Sequence, residues 1–396
     1  MNRDIFVEVD EASWGTKLPP ANFNSGIESC EVGEVLLTIG LITSPARASG
    51  FSLSEYWAWI RYACAISNDN RLSLVSEYKD LDAHQKTILS DDFGMGFSIY
   101  WMWKRMDFSF ICDGRYFVDR YLNHFGGVAA ARTPGKRGPT KCPDFVCWKP
   151  VGSFHVVECK GTQSGKTTSS KQIATAQGQK TTINFPANRQ GERIACGMKI
   201  EFEGSVRGSE LFVADPDYKS VLDVEDSRIE FAEDTMIRGL TSRVLGISGL
   251  PLTALAFAEP DIGAVASSRP KTSARRRQEF SQIDETRRGR SEEELRGKKG
   301  RVLFQESGIR FSGQERIVEL PLAINVGTRL SSRVMVRQGV NTDILDSLSP
   351  NSFGNPTRSG PSSALEKSTK KMKTETAGEM SALSIGELYR SEISFL

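Results

Sequence analysis

The chain has 396 residues, enough for two domains and a sizeable core, and its hydrophobic fraction of 39% with 25% charged residues is ordinary for a globular protein. A formal net charge of +2 gives no global signature of a nucleic-acid binder, so any such role must come from local charge. No run of about 18 apolar residues is present, which argues against a membrane span, and the acidic start Met1-NRDIFVEVDEA does not resemble a signal peptide. The seven scattered cysteines fit a reducing, cytoplasmic setting better than a disulfide framework.

In chain order, residues 1–90 read as a largely helical region. Val35 to Thr43 is a strand or a short buried helix, Phe51 to Ile66 has helical apolar spacing with Ser54 as N-cap, and Arg71 to Leu89 is a second helical stretch. Phe93 to Asp107 is a densely aromatic helix capped by Asp92, in which Gly94 and Gly96 predict close packing. Asp113 to Phe125 is a further helix, stopped by Gly126-Gly127. The loop Ala131 to Lys141 carries Arg132, Lys136, Arg137 and Lys141 with no acid, which suits contact with a phosphate backbone.

Lys141-CPDFVCWKPVGSFHVVECKGT-Gln163 follows. Two apolar stretches flank a Pro/Gly break at Pro150 to Ser153 and predict an antiparallel hairpin. Centring the turn on Val151 makes opposed residue numbers add to 302, which sets Asp144 across from Glu158. With side chains alternating faces, Lys160 joins the face of Glu158. Two facing carboxylates repel unless a positive charge lies between them, and a hard divalent cation such as Mg²⁺ meets that need.

The pattern Pro143-Asp144, then Glu158-Cys159-Lys160, resembles the PD-(D/E)XK nuclease superfamily, over residues 90–215 or so. The resemblance implies a restriction-endonuclease-like α/β fold: a mixed sheet flanked by helices, with an N-terminal helical extension and a C-terminal one. It implies that Asp144 and Glu158 bind Mg²⁺ (Mn²⁺ substituting), with the backbone carbonyl of Cys159 as a further ligand. Lys160 would activate the attacking water or steady the charge developing on the phosphate. Asp92 or Glu77 would fill the place of an additional upstream acid. A helix from about Ser169 to Lys180 would pack behind the site, offering Lys166, Lys171, Gln172 and Gln179 to the substrate, with Gln172 in a catalytic role. The activity implied is Mg²⁺-dependent hydrolysis of DNA phosphodiesters, RNA not being excluded, in restriction or defence against foreign DNA. A protein partner or self-association is compatible with this reading, and a non-catalytic nucleic-acid sensor or scaffold is its alternative.

Two overlapping chemistries are weaker. Gly161-TQSGK-Thr167 lies where a phosphate-binding loop would, but has three residues between its glycines where the nucleotide-binding loop needs four. Cys142, Cys147, His155 and Cys159 are zinc-ligand types, but Cys142 falls on the opposite face from the other three.

Downstream, Arg193 to Gly204 and Glu210 to Asp217 read as strands that extend the sheet and complete a core over residues 91–260. Arg228 to Leu245 reads as a helix and Leu250 to Ala258 as an apolar segment. Between Arg269 and Arg301 there are 12 Lys/Arg against 6 Asp/Glu and few apolar residues, so 261–301 reads as a charged linker. Val302 to Val336 alternates like strands and makes 302–344 a small β element, 345–382 has a disordered composition, and Leu383 to Leu396 has spacing for a short docking helix.

Overall fold

A computed structural model describes residues 1–44, 60, 62–125, 142–163, 181–215, 219–259, 273–326, 329–350, 353 and 361–396. The architecture is mixed α/β, built around a seven-stranded mixed sheet. Its strands are β1 (Asn2–Val9), β2 (Gly26–Glu31), β3 (Phe110–Asp113), β4 (Phe145–Trp148), β5 (Phe154–Thr162), β7 (Gln190–Lys199) and β8 (Glu210–Ala214), in the order β2-β1-β8-β7-β5-β4-β3. The central strands β5 and β7 run parallel, as do β1 and β8; the other neighbours are antiparallel. β6 (Thr181–Asn184) and β9 (Lys219–Asp223) form a separate parallel pair.

Apolar runs in β4 and β5 are buried because helices cover both faces of the sheet. The long helix α2 (Ala83–Arg105) packs on β5 and β7, after α1 (Val32–Ile42). The fit of α2 is set by glycine. A Cβ on Gly161 would collide with the carbonyl oxygen of Ser90, and a Cβ on Gly94 would lie 2.6 Å from the amide nitrogen of Gly161. Gly96 lies as closely against Ile39 of α1, so both glycines meet the close packing expected of them. On the opposite face, helix α4 (Ile229–Ile247) brings Gly239 against Cys112 of β3, and α3 (Gly114–Phe125) packs beside it. Gly161 and Cys112 belong to opposite faces because side chains alternate along paired strands.

The chain then departs from several expectations. The described part of residues 1–90 is not largely helical: β1 and β2 supply one edge of the main sheet, and in the stretch expected to be helical from Arg71 to Leu89, Arg71 and Leu74 form β-bridges, Ser76–Asp80 is a 3₁₀ turn and helix begins at Ala83. Of the helix expected over Phe51 to Ile66, all but Ile60 and Tyr62 to Ile66 lies outside the described residues, and Tyr62–Ala65 is a 3₁₀ turn. The cap of α2 is Asp82, which accepts the amides of His84 and Gln85; Asp92 lies inside the helix and accepts a hydrogen bond from the Tyr62 hydroxyl at 2.6 Å. Helix α5 (Pro251–Ala258) forms the expected apolar segment.

The expected linker contains a 25-residue helix, α6 (Ala274–Lys298). Alternating charges at helical spacing, such as the Arg275–Glu279 pair, suit a solvated helix. Its end docks: Leu295 is buried, and the Glu294 carboxylate caps α5 by accepting the amides of Leu252 at 3.1 Å and Thr253 at 2.7 Å.

The C-terminal region is a six-stranded antiparallel sheet. It orders β10 (Phe304–Glu306), β11 (Ile309–Val326), β12 (Arg329–Asn341), β15 (Tyr389–Phe395), β14 (Met380–Ile385) and β13 (Met372–Ala377). Short helices α7 (Thr342–Ser347) and α8 (Pro361–Ser368) join its halves. Much of the stretch with disordered composition is therefore helix and strand, and the expected docking helix is the end of β14 followed by β15. The Lys-Thr-Glu-Thr alternation of β13 is an edge strand with one polar face. This sheet is fastened to the main one by α1. The buried Glu34 carboxylate accepts hydrogen bonds from Tyr100 (2.9 Å) and Lys104 (3.2 Å) of α2 and from Thr374 (2.7 Å) and Thr376 (3.2 Å) of β13. No helix of the described residues is long and apolar enough to cross a membrane.

Candidate functional site

The hairpin register is the expected one. Phe145 pairs with Val157, Val146 with Val156, Cys147 with His155 and Trp148 with Phe154. Asp144 and Glu158 lie one step past the last of these pairs. The turn closes through the Gly152 amide, which donates to the Lys149 carbonyl at 2.8 Å, and Val151 takes φ 60°.

Three charged side chains meet at this end of the hairpin. The Lys160 ammonium lies 2.6 Å from Glu158 Oε1 and 3.6 Å from Asp144 Oδ2. Asp144 Oδ2 also accepts the Cys159 amide at 2.7 Å, which fixes the orientation of that carboxylate. Helix α3 closes the site from another side: the Gly114 amide donates to the Asp144 carbonyl at 2.9 Å.

The electrostatics are strained in a way a cation relieves. Burial pushes the Asp144 carboxyl up to about 6, the neighbouring Glu158 charge adds to this, and Lys160 and the Cys159 amide oppose it. Burial works against the Lys160 ammonium, but Asp144 and Glu158 more than offset it and hold its pKa above the ordinary lysine value. A fourth charge stands nearby. Burial raises the Asp91 carboxyl of α2, and the positive charge of Lys160 pulls against that shift. Asp91 follows Ser90, whose carbonyl abuts Gly161.

Of the acids ahead of the hairpin, Asp91 is one that interacts electrostatically with Lys160. Asp92 is engaged by Tyr62, and Glu77 is exposed on its 3₁₀ turn. Asp91 was legible in principle. It stands three residues before Gly94, so it shares the helical face that the close-packing glycine marks.

Asp144 and Glu158 offer carboxylate oxygens to a hard cation. Among the described residues no group of three or more His, Cys, Asp or Glu side chains has the arrangement of a metal site. Two carboxylates are a donor set of the kind Mg²⁺ uses when waters and substrate oxygens complete its shell. The Cys159 thiol is buried with Cys147 and Cys196, and burial raises its pKa well above the usual thiol value, so its sulfur offers nothing to such a cation. Burial likewise holds His155 down at about 4, and its Nδ1 accepts the Glu192 amide at 2.9 Å. These groups are core, as the face argument against zinc implied.

Arg132, Lys136, Arg137 and Lys141 of the basic loop, and Lys166, Lys171, Gln172 and Gln179 beyond the hairpin, lie outside the described residues. A surface cavity of about 320 Å³ between β1, β2 and β8 is lined by Arg71 and Arg207 and includes none of the three hairpin residues. Comparison with family models, with curated proteins and with solved structures finds no match to this chain.

Proposed function

We propose that the protein is a metal-dependent nuclease of the PD-(D/E)XK type, with a restriction-endonuclease-like core, that hydrolyses phosphodiester bonds in DNA. The observation that carries the reading is the convergence of Asp144, Glu158 and Lys160 at one end of the β4–β5 hairpin, within 3.6 Å of one another through the lysine. A mixed sheet flanked by helices supports it, as does the placement of Asp144 immediately before β4 and of Glu158 and Lys160 on the adjacent β5.

In this reading Asp144 and Glu158 would hold Mg²⁺, with the Cys159 carbonyl as a further donor, and the ion would supply Lewis acidity there. Asp144 is held in one orientation by the Cys159 amide, so its oxygens are positioned before substrate arrives. Lys160 places a positive charge where the attacked phosphate gains negative charge, and its three N–H donors orient the incoming water. Asp144 and Glu158 keep that ammonium charged. The basic loop from Arg132 to Lys141 would follow the DNA backbone. A role in restriction or defence against foreign DNA follows from family analogy alone.

Plasmid cleavage with Mg²⁺, Mn²⁺ or EDTA tests the reading. Glu158→Ala and Lys160→Ala should each lower the cleavage rate by about 100-fold or more. Equal activity in all three proteins would remove the assignment, and DNA binding without cleavage in every condition would favour a non-catalytic sensor.

A further inference from the structure

We infer that Lys160 is a built-in counter-cation that competes with the divalent metal for the Asp144–Glu158 carboxylates. The inference rests on the metal-site reading above and adds to it a control of metal affinity by the chain's own ammonium.

Three observations carry it. The Lys160 ammonium is within 2.6 Å of one carboxylate and 3.6 Å of the other, so it lies in the space that a cation bridging the pair would use. The carboxylate partner is fixed, since Asp144 is tied to the Cys159 amide at 2.7 Å and cannot turn away without losing that bond. The lysine is the movable member. Its side chain is 41% exposed and ends a flexible four-carbon stem, whereas Glu158 is 20% exposed.

A divalent cation must therefore do two things on entry. It displaces the ammonium from Glu158, and it then shares the site with a unit positive charge a few ångströms away. Both lower affinity relative to two carboxylates alone. Displacement also has a use: the ammonium leaves the carboxylates only when the metal is in place, and its freed N–H groups then turn to a water or a phosphate oxygen. Asp91, whose charge interacts with Lys160, offers the displaced ammonium a second anionic neighbour. The lysine is thereby a positioning group for the metal as well as a catalytic one.

Mn²⁺ binding to the full-length protein tests this without reference to cleavage. Titration would be followed by isothermal calorimetry and by the electron paramagnetic resonance signal of free Mn²⁺, for wild type, Lys160→Gln, Lys160→Met and Lys160→Arg. The two neutral variants should bind Mn²⁺ about tenfold more tightly than wild type at low ionic strength, by loss of a like charge beside the site. Lys160→Arg keeps the charge and should stay near wild type. Having both Gln and Met guards against one variant failing to fold, which near-ultraviolet circular dichroism checks. Equal or weaker binding by the neutral variants, tighter binding by Lys160→Arg as well, or no Mn²⁺ binding by any protein would each overturn the inference. Failure of the nuclease reading looks different. Tighter Mn²⁺ binding by the neutral variants, with a wild type that cuts no nucleic acid, keeps the counter-cation and removes the nuclease; a cutting wild type with unchanged affinities does the reverse.

Discussion

Gly94 offers a test of how the site is held, because two substitutions of the same kind should act with opposite signs. A methyl at Gly94 would sit 2.6 Å from the Gly161 nitrogen, 2.7 Å from the Lys160 carbonyl carbon and 2.8 Å from the Gly161 Cα. All three are backbone atoms of β5 and none can rotate away. To reach an ordinary contact of about 3.4 Å the helix must back off by roughly 0.6–0.8 Å, and crowding of a packed core on that scale costs about 1–3 kcal/mol. Against this, replacing Gly by Ala inside a helix gains about 1 kcal/mol. The net for Gly94→Ala is a loss of up to about 2 kcal/mol. Gly289 of α6 is the control: a methyl there meets nothing within 4 Å, so Gly289→Ala should stabilise by about 1 kcal/mol. Urea unfolding of the two variants beside wild type measures both. A Gly94→Ala protein at least as stable as wild type would refute the backbone-to-backbone packing of α2 on β5. Because the crowded atoms belong to Lys160 and Gly161, the same variant should also cut DNA about tenfold or more slowly, as small misplacements of reacting groups do.

Other consequences can be checked in parallel. Folding raises the Asp144 pKa from the ordinary 3.8 to about 6, so the folded state binds more protons than the unfolded one between those values, and this group's contribution to stability falls as pH rises from about 4 to 6. Asp144→Asn retains an oxygen for the Cys159 amide and lacks the charge; relative to wild type it should gain on the order of 1–2 kcal/mol on going from pH 4 to pH 7, and a gain of the opposite sign in paired melting curves would contradict the assignment. Metal affinity of the wild type should drop below about pH 6 for the same reason, seen as proton uptake displacing Mn²⁺. Asp234 is buried between Arg120 at 2.6 Å and Arg238 at 2.8 Å, so Asp234→Ala strands two guanidinium charges and should cost about 3–5 kcal/mol in denaturant unfolding. Val151 holds φ 60° at the exposed hairpin turn, where a β-branched residue is strained; Val151→Gly should raise stability by about 1 kcal/mol, and a lower unfolding midpoint would count against that backbone conformation.

How much could be read beforehand depended on the range of the forces involved. The β4–β5 register was legible because Pro150 to Ser153 fixes the turn and a period of two then fixes every partner out to Asp144 and Glu158. The Gly94 packing was legible because a glycine amid bulky aromatics has few other uses. The six-stranded sheet was not. It pairs Val334 to Val340 with Tyr389 to Phe395 across a Ser- and Lys-rich stretch, and such distant pairing leaves no local mark in composition. Its buried charges misled further: Glu392 is 3% exposed yet paired with Arg337 of neighbouring β12 at 2.8 Å and with Arg390 of its own strand at 2.7 Å, and the first of these contacts exists only once the two strands align. Helix α6 was hidden for a related reason. Its docking face, Asp284, Ser291 and Leu295, is buried but carries one large apolar side chain and two polar ones, so apolar periodicity was too sparse to register.

The hairpin end stands apart from the rest of this molecule in what its charges achieve. Two other buried acids are closed off: Glu34 is surrounded by four donors, and Asp234 by two guanidinium groups. At Asp144 and Glu158 two carboxylates share one flexible ammonium, half-exposed, and one of them is left with a raised proton affinity. A pair built only for stability would replace one acid with an amide and remove the repulsion at no loss of the Cys159 hydrogen bond. Both charges stand at one end of a hairpin backed by a helix packed to backbone contact, which on the proposed reading is how the fold holds an energetically unfavourable group in place for a chemical task. On the proposed reading, cation affinity is the physical content of that arrangement, and it is why metal binding, rather than cleavage, is the first quantity to measure.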